Sequence, residues 1–185
     1  MKKIVLNYGL LAGSVLGGAI LISMLFGSDG KMDMKTGEWI GYISMIVALS
    51  SIFFGVRAYR DKESGGVISF GKAFQVGILI SLVASVIYVA VWMLYVNFGG
   101  GGDFMEQYYQ YSVEQLKQSG KSAADIEREI LQMEQFKEMY KSPLVQIGIT
   151  FLEIFPVGLI ISLLSAVLLK KGSGKGTQGA QVLDA

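Results

Sequence analysis

GGVISFGKAFQVGILISLVASVIYVAVWMLYVNF, residues 65–98, is the stretch on which the fold turns. Its first nine residues come within one position of a phosphate-binding loop, because Gly66, Gly71 and Lys72 stand at the spacing of G-x-x-x-x-G-K. Such a loop follows a strand, opens a helix and ends in a Ser or Thr whose hydroxyl binds magnesium. Here Ala73 holds the hydroxyl position, and everything from Phe74 to Phe98 is free of charge. An uncharged run of that length crosses a bilayer, which takes about 20 residues in a helix. The glycines and lysine therefore read as a connector. Gly65-Gly66 makes the turn, the Ser69 hydroxyl caps the helix that follows, and Lys72 snorkels toward headgroups.

Working outward, three more apolar stretches appear. The four spans fall at about 4–26, 39–56, 74–98 and 145–169 of the 185 residues. Composition agrees: 52% of residues are hydrophobic and only 17% charged, against about 25% charged in an ordinary soluble domain. Of the 24 glycines, nine lie inside these spans, where small residues let membrane helices approach closely. The first span follows Lys2 and Lys3, as a signal peptide would. It is longer than a signal core of roughly 7–15 residues and lacks a small-x-small cleavage site, so it reads as a retained anchor. A net charge of +1 gives no nucleic-acid footprint. The chain has no cysteine and no histidine, which removes disulfides, thiolate chemistry, imidazole bases and the commonest metal ligands.

Lys and Arg set the orientation. They cluster before the first span (Lys2, Lys3), between the second and third (Arg57, Arg60, Lys62, Lys72) and after the fourth (Lys170, Lys171, Lys175). The first loop holds Lys31 and Lys35, and the long third loop sets eight carboxylates against five bases over 103–141. Both termini and the second loop are expected in the cytoplasm.

Within the spans, Gly9, Gly13 and Gly17 repeat every fourth residue, as do Gly77, Ser81 and Ser85, and Gly158, Ser162 and Ala166. Such stripes are natural contact faces, either inside one bundle or, through the first helix, between two copies. Glu153 is the one ionisable residue well inside a span, three residues before Pro156. A carboxyl group at membrane depth tends to face the bundle interior or a water-filled path. Pro156 leaves the Leu152 carbonyl without its helical donor and favours a kink. The pair is a candidate proton or cation site, or else a protonated glutamic acid bonded to a neighbouring Ser, Tyr or carbonyl. Asn7, near one end of the first span, reads as interfacial.

The third loop carries helical patterning. Residues 103–119 read as one helix closed by Gly120, and Ser122 with Asp125 begins a second in a capping-box arrangement with Asp in place of Glu. Ile126, Ile130, Met133, Phe136 and Tyr140 recur at helical spacing. Pro143 ends this helix or bends the approach to the fourth span. The expectation is an extracytoplasmic amphipathic helical hairpin resting on the bundle or the membrane surface, or serving as a docking surface. Tyr108, Tyr109 and Tyr111 are its candidate anchors or contacts. The Gly-rich tail, 172–185, reads as disordered.

The run YRDKESGGVISFGKAFQVG, residues 59–77, resembles the second-to-third-helix loop of an uncharacterised bacterial membrane-protein family, domain-of-unknown-function family number 4199. Arg60, Asp61, Gly65, Gly66, Ser69, Phe70, Gly71, Ala73 and Phe74 carry the likeness, and GLIISLLSAVLLKK, residues 158–171, is similar to the family's last helix. The resemblance implies a four-helix integral membrane fold from about residue 2 to residue 171 and no established activity.

The fold class expected is thus all-α, a four-helix transmembrane bundle with the outer hairpin. The leading functional expectation is a non-enzymatic interaction or accessory subunit of the cytoplasmic membrane. It uses no cofactor, and its partners are the bilayer together with a second copy or another membrane protein. The alternative is a small transporter or channel built on Glu153 and Pro156, although neither an inverted repeat nor a pair of broken helices is visible. An intramembrane enzyme using loop carboxylates for a metal is a third reading, with no ligand-like spacing to support it.

Overall fold

The computed structural model describes residues 1–27, 34–99 and 101–172. The tail beyond Gly172 and the middle of the first loop lie outside the described residues. Among the described residues, seven α-helices follow one another: α1 (Lys2–Gly27), α2 (Met34–Leu49), α3 (Ser51–Glu63), α4 (Phe70–Phe98), α5 (Phe104–Lys117), α6 (Ala123–Tyr140) and α7 (Pro143–Leu169). Four stretches are long and apolar enough to cross a membrane: Lys2–Ile22, Met34–Glu63, Phe70–Phe98 and Pro143–Leu169.

Local chemistry sets the helix ends. Ser69 has extended backbone and its hydroxyl accepts from Lys72 N at 3.3 Å, which starts α4 at the connector. Gly65 and Gly66 turn the chain with φ of 61° and 83°, where a side chain would be strained. Ser122 caps α6 by accepting from Asp125 N at 3.2 Å. The Asp125 carboxylate accepts from the Ser122 hydroxyl at 2.6 Å, because the shorter acid stops short of the backbone N–H that Glu reaches in a capping box. Gly120, with φ of 72°, turns the chain between α5 and α6. Pro143 opens α7 at its first turn, where its missing N–H costs no hydrogen bond.

The second span runs through α2 and α3 with Ser50 between them in helical backbone, φ −58° and ψ −23°. The ladder tightens there: Ser50 N still donates to the Ile46 carbonyl at 3.0 Å, its hydroxyl donates to the Val47 carbonyl at 2.6 Å, and its own carbonyl accepts from Phe53 N at 3.1 Å. Adjacent serines provide the local cause, since their hydroxyls compete for helix carbonyls.

Glycine stripes position the helices. Cβ atoms built on Gly9 and Gly13 of α1 would lie 2.6 Å from the Val83 Cβ and 2.7 Å from the Ile87 Cβ of α4, and Gly17 faces Val91. The three contacts advance together along both helices, so α1 and α4 run parallel. On α4's other side, Gly77 lies against Ser162, with its built Cβ 2.9 Å from the Ser162 Cβ, and a Cβ on Gly158 would overlap the Ser81 hydroxyl. That register runs in opposite senses, so α4 and α7 are antiparallel. The first-helix glycine face is thus covered by α4 of the same chain. Leu16, Leu49, Ile52, Val56, Ile80 and Ile154 fill the core between these stripes.

One end of the bundle, here called basal, gathers the start of α1, the end of α3, the start of α4 and the end of α7. The Met1 ammonium pairs with Glu63. Ile68 and Lys171 exchange two backbone hydrogen bonds, of 3.0 and 2.9 Å. At the other, distal end, α5 and α6 pack on each other beside the end of α4 and the start of α7.

Candidate functional site

The distal site is built where α6 runs into α7. Tyr140, the last residue of α6, is buried. Its phenol accepts from Trp92 Nε1 at 2.8 Å and is hydrogen-bonded to the Thr150 hydroxyl, while its carbonyl accepts from Gln146 Nε2 at 2.9 Å. Burial pushes the Tyr140 phenol up from its ordinary range, with the Trp92 donor acting against it. Phe104 meets the Trp92 ring edge-on at 5.0 Å, which joins α5 to the same anchor. Gln146 and Thr150 reach Tyr140 because they lie on the stripe of α7 that continues through Ile154, Gly158 and Ser162.

Above this anchor is a cleft of about 260 Å³, lined by Val96, Phe104, Met105, Lys137, Tyr140 and Gln146 among others. Lys137 crosses from α6 to Glu106 of α5 at 3.0 Å and lies 4.2 Å from the centre of the Tyr109 ring. Hydrogen bonds from Gln110 and from Lys137 hold the Glu106 carboxyl below the usual range, and its bond to Glu106 holds Lys137 above its own. Tyr108 is exposed and stacks on Phe104, and Tyr111 is half-buried. Replacing Tyr140 by Phe should free the distal end of α6, since the Trp92 N–H then loses its acceptor, at a cost of about 1–3 kcal/mol. In a chain with Trp39 changed to Phe, so that Trp92 alone reports, its emission should shift to the red. An unshifted spectrum would mean that the anchor carries no weight.

Glu153 departs from the sequence expectation. It is exposed, as are Leu152 and Pro156, rather than turned into the bundle. The reason is the period of α7. Buried positions Gln146, Thr150, Ile154, Gly158 and Ser162 recur every four residues, and residue 153 falls a fraction of a turn off that line. It keeps electrostatic reach to the phenols of Tyr88 and Tyr140. α7 continues as one helix through Pro156. The packing residues Gly9, Gly13, Gly17, Gly158 and Ser162 are all buried at helix contacts, and Asn7 is exposed.

The motif residues gather at the basal end. Gly66 N donates to the Arg60 carbonyl at 2.9 Å, closing the turn, and the Arg60 side chain pairs with Asp61 at 2.7 Å. Ala73 is buried, while Phe70 stacks on Phe74 with centres 6.0 Å apart. Nothing in the structure explains a glycine at position 71, where a Cβ would meet no neighbour. Lys72 donates to Gln75 at 3.1 Å and stands over the Tyr59 ring. Sequence reasoning missed both the Tyr140 anchor and the Ile68–Lys171 bridge. The first had a signal in the polar positions 146 and 150, four apart on the same face as Gly158.

Among the described residues, no three carboxylates group as a metal site would require. The sequence model of a family described as "Protein of unknown function (DUF4199)" matches residues 7–171. No curated protein and no solved structure matches the chain.

Proposed function

The chain belongs to the DUF4199 family, and from that premise we propose that it is a non-enzymatic interaction or accessory subunit of the cytoplasmic membrane. In this reading four spans cross the bilayer, the basal end and both termini face the cytoplasm, and α5 with α6 forms an extracytoplasmic hairpin. The positive-inside bias supports the orientation. Single cysteines test it, since the chain has none of its own. An impermeant thiol reagent on intact spheroplasts should label Ser119→Cys and spare Ser64→Cys. The reverse pattern would invert the topology.

The observation that carries the interaction reading is Glu153. A carboxyl group at span depth is unfavourable by several kcal/mol unless something polar meets it. Here it stands on the exposed flank of α7 beside Leu152, which is 67% exposed. A membrane helix bringing a cation or hydrogen-bond donor to that flank would satisfy it. Photocrosslinking from position 152 in native membranes should capture such a helix, and Glu153→Ala should release it while leaving the thermal midpoint of the chain nearly unchanged. Glu153→Gln should fail like Ala if the partner group is a cation, and should retain part of the capture if it is a neutral donor. A fully tolerated Glu153→Ala would place the residue at water or headgroups and sink the reading.

A small transporter or channel is the second reading. It is favoured by the buried hydroxyls of Ser81 and Ser85, which have no hydrogen-bond partner among the described residues. Glu153 lies off that hydroxyl seam, which weakens it. Proton- or cation-dependent flux in liposomes, abolished by Glu153→Gln, would favour this reading over the first.

A further inference from the structure

We propose that the basal cleft between the α3–α4 connector and the end of α7 is a binding site for the headgroup of an anionic phospholipid. The inference goes beyond the docking of a partner on Glu153 and uses a different part of the molecule. The cleft has a volume of about 570 Å³ and is walled by Val67, Ile68, Ser69 and Phe70 on one side and by Lys170, Lys171 and Gly172 on the other. Its two walls are fixed to each other, because Ile68 and Lys171 exchange both backbone hydrogen bonds. The backbone of both walls is therefore held together by the fold.

Position singles out this cleft: Lys2, Lys3 and Lys62 at the basal end are also without an ion pair among the described residues, but Lys170 and Lys171 are the basic residues that line it. Arg57 and Arg60 share Asp61, and Lys72 is engaged with Gln75 and the Tyr59 ring. Among the described residues, the Lys170 and Lys171 side chains have no ion pair and no hydrogen bond, and no carboxylate lines the cleft. Two lysines in one cleft wall without a counter-charge fit a phosphate. Ser69 adds a donor: its oxygen already accepts from Lys72 N, which leaves its O–H free to point outward.

Apolar surface makes the ligand a lipid rather than a free phosphate. Phe70 is 41% exposed at the cleft, and Leu168, on the last turn of α7, is 71% exposed. The cleft lies where α4 begins and α7 ends, so it meets the bilayer at headgroup depth with hydrocarbon directly beside it. A lipid phosphate between the lysines would have its acyl chains against these side chains, as basic pockets between membrane helices hold acidic headgroups.

The test is lipid binding to the full chain, read by native mass spectrometry from a neutral detergent. The probes are phosphatidylglycerol, phosphatidylcholine and sn-glycerol 3-phosphate. Phosphatidylglycerol should bind well above phosphatidylcholine, and glycerol phosphate should not displace it. Each lysine near a membrane surface contributes about a five-fold preference for anionic lipid, so Lys170→Gln with Lys171→Gln should lower the affinity about 25-fold. Lys2→Gln with Lys3→Gln removes the same charge from residues that do not line the cleft, and salt screening should hold its effect below about two-fold. Lys170→Arg with Lys171→Arg should retain binding, which separates lost charge from lost folding. Equal losses in the two Gln pairs would reduce the effect to general basal charge and overturn the site. Displacement by glycerol phosphate, or equal affinity for phosphatidylcholine, would overturn the lipid assignment.

Discussion

Gly158→Ala is expected to unseat α7 from α4. The methyl group would overlap the Ser81 hydroxyl and lie 2.9 Å from the Ser81 Cβ, and the Gly77–Ser162 contact one turn away is equally close. The Ser81 hydroxyl can turn to another rotamer, but its Cβ moves only with α4, and the close Gly77–Ser162 contact opposes that shift. Overpacking of a filled interface costs about 1–3 kcal/mol, and that opposition puts this site at the upper end. The loss should appear as a lower thermal midpoint in detergent and less folded protein in the membrane. Ser81→Gly supplies the control, since it removes both atoms that the new methyl meets. Combined with Gly158→Ala, it should recover most of the loss, a coupling that independent sites do not show. A Gly158→Ala chain as stable as the parent would mean that α4 and α7 do not meet in this register.

That pairing shows how much the sequence discloses. Each small-residue stripe is visible alone, because Gly77-Ser81-Ser85 and Gly158-Ser162-Ala166 both recur every four residues. Which stripe meets which, and in what register, is a tertiary fact. Gly9, Gly13 and Gly17 do not face another stripe at all. They receive Val83, Ile87 and Val91, a ridge of branched side chains at the same spacing, and nothing in either pattern names the other. The spans are legible because bilayer thickness fixes their length and lipid excludes charge. Ser69 and Ser122 are legible as caps because capping is local.

The direction of Glu153 is a related case. That a carboxyl group in a span faces the bundle interior is a statistical expectation, whereas its direction depends on the phase of the helix. The phase was available, since Gln146, Thr150, Ile154, Gly158 and Ser162 mark the buried line and residue 153 lies beside it. The Ile68–Lys171 bridge was not available, because it joins backbone groups far apart in the chain and leaves no trace in side-chain chemistry.

The largest effect is expected from Gly13→Leu. A Cβ at residue 13 lies 2.7 Å from both Cβ and Cδ1 of Ile87 and 2.8 Å from its Cγ2, so even the first carbon has no room. Leucine adds three more carbons. Ile87 is branched at Cβ and has one strongly preferred rotamer in a helix, so it cannot swing away. α1 must therefore move off α4 along its length, exposing the Gly9–Val83 and Gly17–Val91 contacts together. A loss of about 3 kcal/mol or more is expected. Ser14→Leu is the comparison, since Ser14 is exposed and leucine on a lipid-facing surface is neutral or better. Ile87→Ala should restore part of the stability to Gly13→Leu by reopening the space. The same experiment decides between packing within the chain and dimerisation through α1. If α4 covers the glycine face, Gly13→Leu lowers the thermal midpoint of the monomer and Ile87→Ala couples to it. A chain that kept its midpoint and only changed its oligomeric state would show the glycines facing a second copy, and the α1–α4 register would be wrong.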